Sequence, residues 1–303
     1  MGVIDALGDG YRIVVRRPYL IVIPVLLDLI IWLLPPISVL APTAMTTGSD
    51  SLGPGSIEFG REVSWLLGLF VPSVGLLAGD LDAGKSPIEL TTIASTVVAI
   101  VTLVGIGVVI ASVYLVLLAN VIDARGEKFD FAQAWGTKSP KLLGLVLGSG
   151  AVIALATGVF ALVATVLGAA AGLLPGVFGI PLLLLLIALL IALLVGLTAA
   201  SLVLYFAILA LILEPVTVRA SIRNSVIFLQ SNRSPAIVFV FLTFIIQIGL
   251  GFIWSGLSGA IPGLIVSLLG SAFIGTAISA ASMIFYLSRL REPKTIASNG
   301  LRA

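Results

Sequence analysis

Six apolar runs constrain this chain before any other feature does. They cover roughly 19–40, 90–121, 141–165, 178–213, 235–258 and 262–288. Each is at least as long as the ~20 residues a helix needs to cross ~30 Å of hydrocarbon. Inside lipid no water satisfies the backbone, so such runs close their hydrogen bonds within themselves as α-helices. The fold class that follows is all-α, a polytopic membrane bundle of about six transmembrane helices.

Composition agrees. Of 303 residues, 59% are hydrophobic and only 10% charged, against about a quarter charged in soluble domains. Cysteine and histidine are absent, which removes disulfides, thiolate nucleophiles, imidazole bases and the usual zinc, haem and copper ligands. No cofactor is expected, and no enzymatic activity.

The distribution of charge orients the runs. Segments 1–18, 122–140, 214–234 and 289–303, with Lys141 at the edge of the second, hold 14 of the 16 Lys and Arg residues. The opposite side keeps Arg61 and Lys85 among the acids Asp50, Glu58, Glu62, Asp80, Asp82 and Glu89. An excess of Lys and Arg marks cytoplasmic loops, so both termini are expected inside the inner (plasma) membrane. The apolar stretch Val63–Gly79, broken by Pro72, is read as an interfacial or re-entrant segment on the outer face. Ala41-Pro-Thr-Ala44 loosely imitates a signal-peptide cleavage site. The preceding run is longer than a typical signal core, however, and cleavage is not expected.

Three junctions, Arg16-Arg17-Pro18, Lys138-Ser139-Pro140 and Arg233-Ser234-Pro235, each launch a pair of apolar runs. The chain therefore reads as one membrane domain of three hairpin repeats: 1–121 with an outer insertion at 42–89, then 122–213, then 214–303. The return runs end alike. Tyr114 precedes Asp123 and Tyr205 precedes Glu214 by nine residues, and Tyr286 precedes Glu292 by six. Runs two and four reach on the order of 50 Å as continuous helix and are expected to extend past the inner membrane face. Small residues Ser267, Ser271, Gly275 and Ser279 recur every four positions in the last run, and Gly168 and Gly172 do so in the third. Flat faces of this kind let helices approach closely in lipid.

Between the hairpins, the inner segments read as short amphipathic helices at the membrane surface. In 216–232, Val218, Ile222, Val226 and Leu229 recur at helical spacing beside Arg219 and Arg223. An interfacial helix needs that combination, apolar side chains towards acyl chains and cations towards phosphates. Phe129–Trp135 is a weaker version. Arg16, Arg17, Arg219, Arg223 and Arg233 are the candidate interfacial contacts. Their expected partners are the bilayer, anionic lipid head groups or another membrane protein. The basic residues are too dispersed for a nucleic-acid surface.

Asp28 is the one charged residue deep within a run. It lies about ten residues past Pro18, ~15 Å into the membrane at helical rise, and an intramembrane carboxylate is a functional candidate by default. Pro24, one turn earlier, is expected to free the carbonyl of Leu20 and weaken the helix. Gln247, twelve residues past Pro235, is the polar partner expected at similar depth. Either the two clamp helices together or they handle a proton or solute. Gly256-Leu257-Ser258-Gly259 copies the serine string of rhomboid proteases, but a serine nucleophile needs a base and no histidine supplies one. The sequence contains no Walker A string, dinucleotide fingerprint or carboxylate cluster with metal spacing.

Segment 214–234 resembles a stretch in the membrane domain of bacterial glycerophosphodiester phosphodiesterases and related uncharacterised six-helix membrane proteins. Glu214, Ala220, Arg223, Ser225, Asn232 and Arg233 occupy the acid, small, basic, serine and polar-turn positions of that pattern. The resemblance implies a six-helix membrane family. The enzymes' catalytic part is a separate soluble barrel, dependent on histidine, acids and a metal, and does not carry over. The function expected is thus non-catalytic, organising lipid or partner proteins at the cytoplasmic face. The alternative is a transporter or permease-like component using Asp28 and Gln247.

Overall fold

The computed structural model describes residues 1–33, 37–39, 71, 88–90, 92–122, 130–173, 179–257 and 261–291. The helices are α1 (Val3–Arg16), α2 (Val22–Leu33), α3 (Ile93–Ile122), α4 (Phe131–Leu173), α5 (Gly179–Leu213), α6 (Val218–Ser231), α7 (Arg233–Leu257) and α8 (Ile261–Arg291). A 3-10 turn, Pro18–Ile21, joins α1 to α2. Strands β1 (Ile37–Val39) and β2 (Ile88–Leu90) pair in parallel, at the two ends of the expected outer insertion. The expected features at 41–44, 63–79 except the buried Val71, 80–82, 258 and 292–298 lie outside the described residues.

Local chemistry explains the helix starts. Thr92 and Ser95 cap α3 reciprocally: Ser95 N donates to Thr92 Oγ1 at 3.1 Å, and Thr92 N donates to Ser95 Oγ at 3.3 Å. Asp130 Oδ1 accepts from Gln133 N at 3.1 Å ahead of α4, and Thr217 Oγ1 accepts from Ala220 N at 3.3 Å ahead of α6. Pro235 and Pro262 fall in the first turns of α7 and α8, where the missing N–H has no intrahelical partner to lose.

Five helices have the length and apolarity of membrane spans: Ala94–Ile122, Phe131–Ala169, Ile180–Leu213, Arg233–Trp254 and Pro262–Arg291. The shorter apolar stretch Pro18–Ile31 precedes them. The structure changes three expected details. First, α2 stops at Leu33 and residues 37–39 are strand, because Pro35 and Pro36 cannot continue the ladder. Second, Pro24 sits in the first turn of α2, directly after the 3-10 turn, so it helps begin a helix instead of weakening one. Third, Pro140 does not start a helix but lies inside α4. The carbonyl it leaves unpaired belongs to Gly136, which is exposed and has no side chain to crowd the proline ring.

The chain divides into two compact units, Met1–Ser139 with Ser234–Ala303, and Pro140–Arg233. In the first, α8 is the central element, and α1, α2, α3 and the 3-10 turn all pack on it. Its contact surface is rich in small residues: Ala272, Ala277, Ala280 and Ala281 are all fully buried. Around them lie Val108, Ala111, Tyr114 and Leu118 of α3, Phe239 of α7, and Phe285 and Tyr286 of α8. Phe239 and Phe285 stack at 4.7 Å between ring centroids. Residues 1–18 are expected from sequence only as an inner segment, and the structure folds them into α1. The signal was present, since Val3, Leu7, Gly10 and Val14 share one helical face, and Leu7, Gly10 and Val14 are buried.

The second unit buries its core at one end. Leu142, Leu145 and Val146 lie at the start of this unit's part of α4, Phe206 to Ile212 close α5, and Phe228 belongs to α6. No residue from 147 to 169 in α4 or from 180 to 205 in α5 is buried. The half-buried positions Ile153, Phe160, Ala164 and Leu167 of α4 recur along a single stripe. A helix that is apolar all round and bare on most faces has lipid as its solvent.

Gly10 sets the separation of α1 from α8. A Cβ built there collides with the Ala277 carbonyl and falls 2.8 Å from both Ala281 N and Ala281 Cβ. Gly8, on the same helix, has nothing within 4 Å of such an atom. Gly10→Ala is therefore expected to cost about 1–3 kcal/mol through overpacking. Gly8→Ala should gain up to ~1 kcal/mol from helix propensity. Thermal unfolding of the two variants in detergent checks the opposite signs.

Candidate functional site

Helix α6 presents three successive faces. Ser221, Ser225 and Phe228, at i, i+4 and i+7, are buried. Next around the helix come Val218, Ile222, Val226 and Leu229, the apolar stripe expected from sequence. These are half-buried except Ile222, which is 41% exposed. Arg219 and Arg223, one turn apart, follow and are exposed.

The buried face is a clamp. Ser225 Oγ donates to Val203 O of α5 at 2.6 Å, and the Phe206 and Phe228 rings lie 4.8 Å apart. The α5–α6 corner is fixed by Asn224 Nδ2 donating to Glu214 Oε2 at 3.2 Å, and by Lys141 Nζ donating to Val216 O at 3.3 Å. At the other end Asn232 N donates to Phe228 O at 2.9 Å. Three residues of the 214–234 pattern, Glu214, Ser225 and Asn232, therefore hold the corner and the caps. Because small serines make the tertiary contact, the apolar stripe is left available beside the arginines. Arg233 is exposed at the start of α7.

In the other unit, Arg16 and Arg17 are exposed where α1 meets the 3-10 turn. Residues 131–135 of the weaker amphipathic stretch begin α4, residue 129 lying outside the described residues, and Trp135 is anchored to protein. Trp135 Nε1 donates to Ser112 Oγ at 2.9 Å, and Ser112 Oγ donates to Val109 O at 2.7 Å.

Asp28 is 6% exposed in α2, the only charged residue among the buried ones described. Gln247 lies on an exposed position of α7. The structure therefore does not bring them together as a buried pair. Counting residues from each proline carries no information on which way each helix face turns. The small-residue face of α8 is engaged: Ser267 and Gly275 are buried, and Ser267 Oγ donates to Gly263 O at 2.8 Å and reaches Trp254 O of α7 at 3.3 Å. Gly168 of α4 is exposed.

Among the described residues, the buried hydroxyls are mostly committed to main-chain carbonyls. Besides Ser112, Ser225 and Ser267, Ser221 donates to Val218 O, Thr243 to Val240 O and Ser282 to Ile278 O, each at 2.8 Å. Back-bonding of this kind satisfies a hydroxyl in lipid or in a core. No group of three or more acidic side chains that could hold a metal occurs among the described residues. Compared with protein families, curated proteins and solved structures, the chain shows no significant match.

Ser225→Ala should cost about 1 kcal/mol, the usual worth of a polar contact between helices. Ser225→Leu should cost about 1–3 kcal/mol, because the site has no spare volume. Thermal unfolding of both variants measures the difference between a lost bond and an overfilled contact.

Proposed function

We propose that this chain is a non-catalytic multi-pass membrane protein that organises lipid or a partner protein at the cytoplasmic face. Six spans in three hairpins, with both termini inside, are the topology that goes with this reading. It draws on the bias of Lys and Arg towards one set of loops. The observation that carries it is the division of labour on α6. Its serine face is used up in holding α5, while exposed Ile222 stands beside exposed Arg219 and Arg223. An apolar edge flanked by cations lies along a membrane interface and attracts anionic head groups. Arg16, Arg17 and Arg233 extend the same chemistry to the other junctions. The likeness of 214–234 to the membrane domain of bacterial glycerophosphodiester phosphodiesterases points to the same six-helix family.

The absence of cysteine makes the test direct. A fluorophore on Ile222→Cys, in vesicles containing brominated lipid, should be quenched, whereas the same probe on Ser231→Cys, on the other side of the helix, should not. An impermeant maleimide added to intact cells should fail to label either position. Equal quenching at 222 and 231, or labelling from outside, would sink the proposal.

A second reading, a solute-handling bundle, is favoured by the burial of Asp28 in an otherwise apolar helix. The leading reading expects Asp28→Asn to keep the quenching at position 222 and to lose about 1 kcal/mol of stability. Unchanged stability combined with loss of a solute flux in reconstituted vesicles would favour the second.

A further inference from the structure

Away from α6, in the unit formed by Met1–Ser139 and Ser234–Ala303, the residues of α1, α3 and α8 enclose an open cleft of about 440 Å³. Its basic residues are Arg12, Arg16 and Arg291, and its apolar ones include Ile13, Ile122, Ile284 and Leu287. Asp9 is the acid in the lining, and Arg12 Nη1 holds its Oδ1 at 3.2 Å. The chain neighbours Asp123 and Glu292 lie outside the described residues.

Three features of this cleft select a ligand. Its volume lies in the range of small-molecule sites, roughly 300–1,000 Å³. Guanidinium groups are planar forks that match phosphate oxygens, and three of them share one lining. The branched aliphatic residues between them reject a fully hydrated anion and favour a molecule that carries a hydrocarbon portion next to its charge. Position adds to this. Arg16 is two residues from Pro18, where the apolar stretch Pro18–Ile31 begins, so the cleft adjoins the point at which the chain enters lipid. The packing of α1 on α8 preforms it. Tyr11 meets Phe273 at 5.9 Å between centroids, and Arg289 Nη2 donates to Met1 O at 3.1 Å.

We infer that the α1–α3–α8 cleft is a binding site for an anionic phospholipid. The phosphodiester sits among Arg12, Arg16 and Arg291, and the glycerol and first acyl carbons lie against Ile13, Ile284 and Leu287. The inference shares with the proposed function the premise that this end of the unit lies at a membrane surface. It does not depend on α6.

Native mass spectrometry of the detergent-purified full chain, with added phosphatidylglycerol or phosphatidylcholine, tests it. The wild type should retain phosphatidylglycerol about tenfold better than phosphatidylcholine, in line with the attraction of a few arginines for an anionic surface. Arg12→Gln with Arg16→Gln should abolish that preference, while Arg12→Lys with Arg16→Lys keeps part of it. Arg219→Gln with Arg223→Gln, on α6, should leave it unchanged, which separates failure of the cleft from failure of the interfacial helix. Arg291→Gln alone, at the exposed end of α8, should weaken the preference in a protein whose thermal unfolding matches wild type, so a misfolded double variant does not leave the question open. A wild type without the preference would overturn the inference. So would a preference that survives all three Gln changes, or one that inorganic phosphate in millimolar excess abolishes, since phosphate alone would then suffice.

Discussion

The close approach of α1 to α8 is the contact on which the larger unit depends. At α1 the burial of Ala6, Leu7 and Val14 contributes, but among the spans acyl chains solvate Leu as well as another helix does. There association comes from van der Waals contact at short range and from polar groups that prefer protein to hydrocarbon. Gly10 against Ala277 and Ala281 provides the first, at a separation that leaves no room for a methyl group. Along the same helix, Ala272, Ala280 and Ser267 keep the surface flat for its other neighbours. The basic cleft is a by-product of this contact: it exists because α1 is held against α8 with its arginines turned to the open side.

Burial is distributed unevenly along the helices. In the smaller unit Leu142 to Val146 of α4, the end of α5 and α6 form a core, while the apolar lengths of α4 and α5 carry no buried residue over more than twenty positions each. In the larger unit the buried residues of α3 run from Gly107 onwards, and those of α8, apart from Ser267, from Ala272 onwards. Return helices of 30, 35 and 31 residues exceed the roughly 20 needed to span, and the surplus is where packing occurs. The protein spends its specific contacts near helix ends and leaves the remainder to the bilayer.

Much of this was legible in the sequence. Run length and proline position placed α5, α7 and α8 to within a few residues, and the Val218–Leu229 stripe located α6, because 3.6-residue periodicity and helix stops are local signals. The overlong return runs were also visible. The first helix was not, since its polar face gave 1–18 the look of a connector and its apolar positions include Gly10, which counts as apolar only when a partner helix is already in place. Nor could depth along a helix reveal the direction of Asp28 and Gln247. The cleft was illegible for the same reason: Arg12 and Arg291 are separated by nearly the whole chain, and only the α1–α8 contact makes them neighbours.

Most of the buried hydroxyls described serve the packing of helices. A hydroxyl that donates to a backbone carbonyl is satisfied locally and is a poor nucleophile without a base to take its proton. Ser112, Ser221, Ser225, Thr243, Ser267 and Ser282 are all engaged in this way. Their role is to let a helix present a small, satisfied surface to its neighbour. On α6, with Ser221 and Ser225 turned inward, Ile222 stands beside Arg219 and Arg223 on the outside. On α1, with Ala6, Leu7, Gly10 and Val14 turned inward, Ile13 stands beside Arg12 and Arg16. Both helices thus carry a small, close-packing inner face and a basic, apolar outer edge. The inner face meets the demands of close helix packing, and the outer edge is what the proposed lipid contacts draw on.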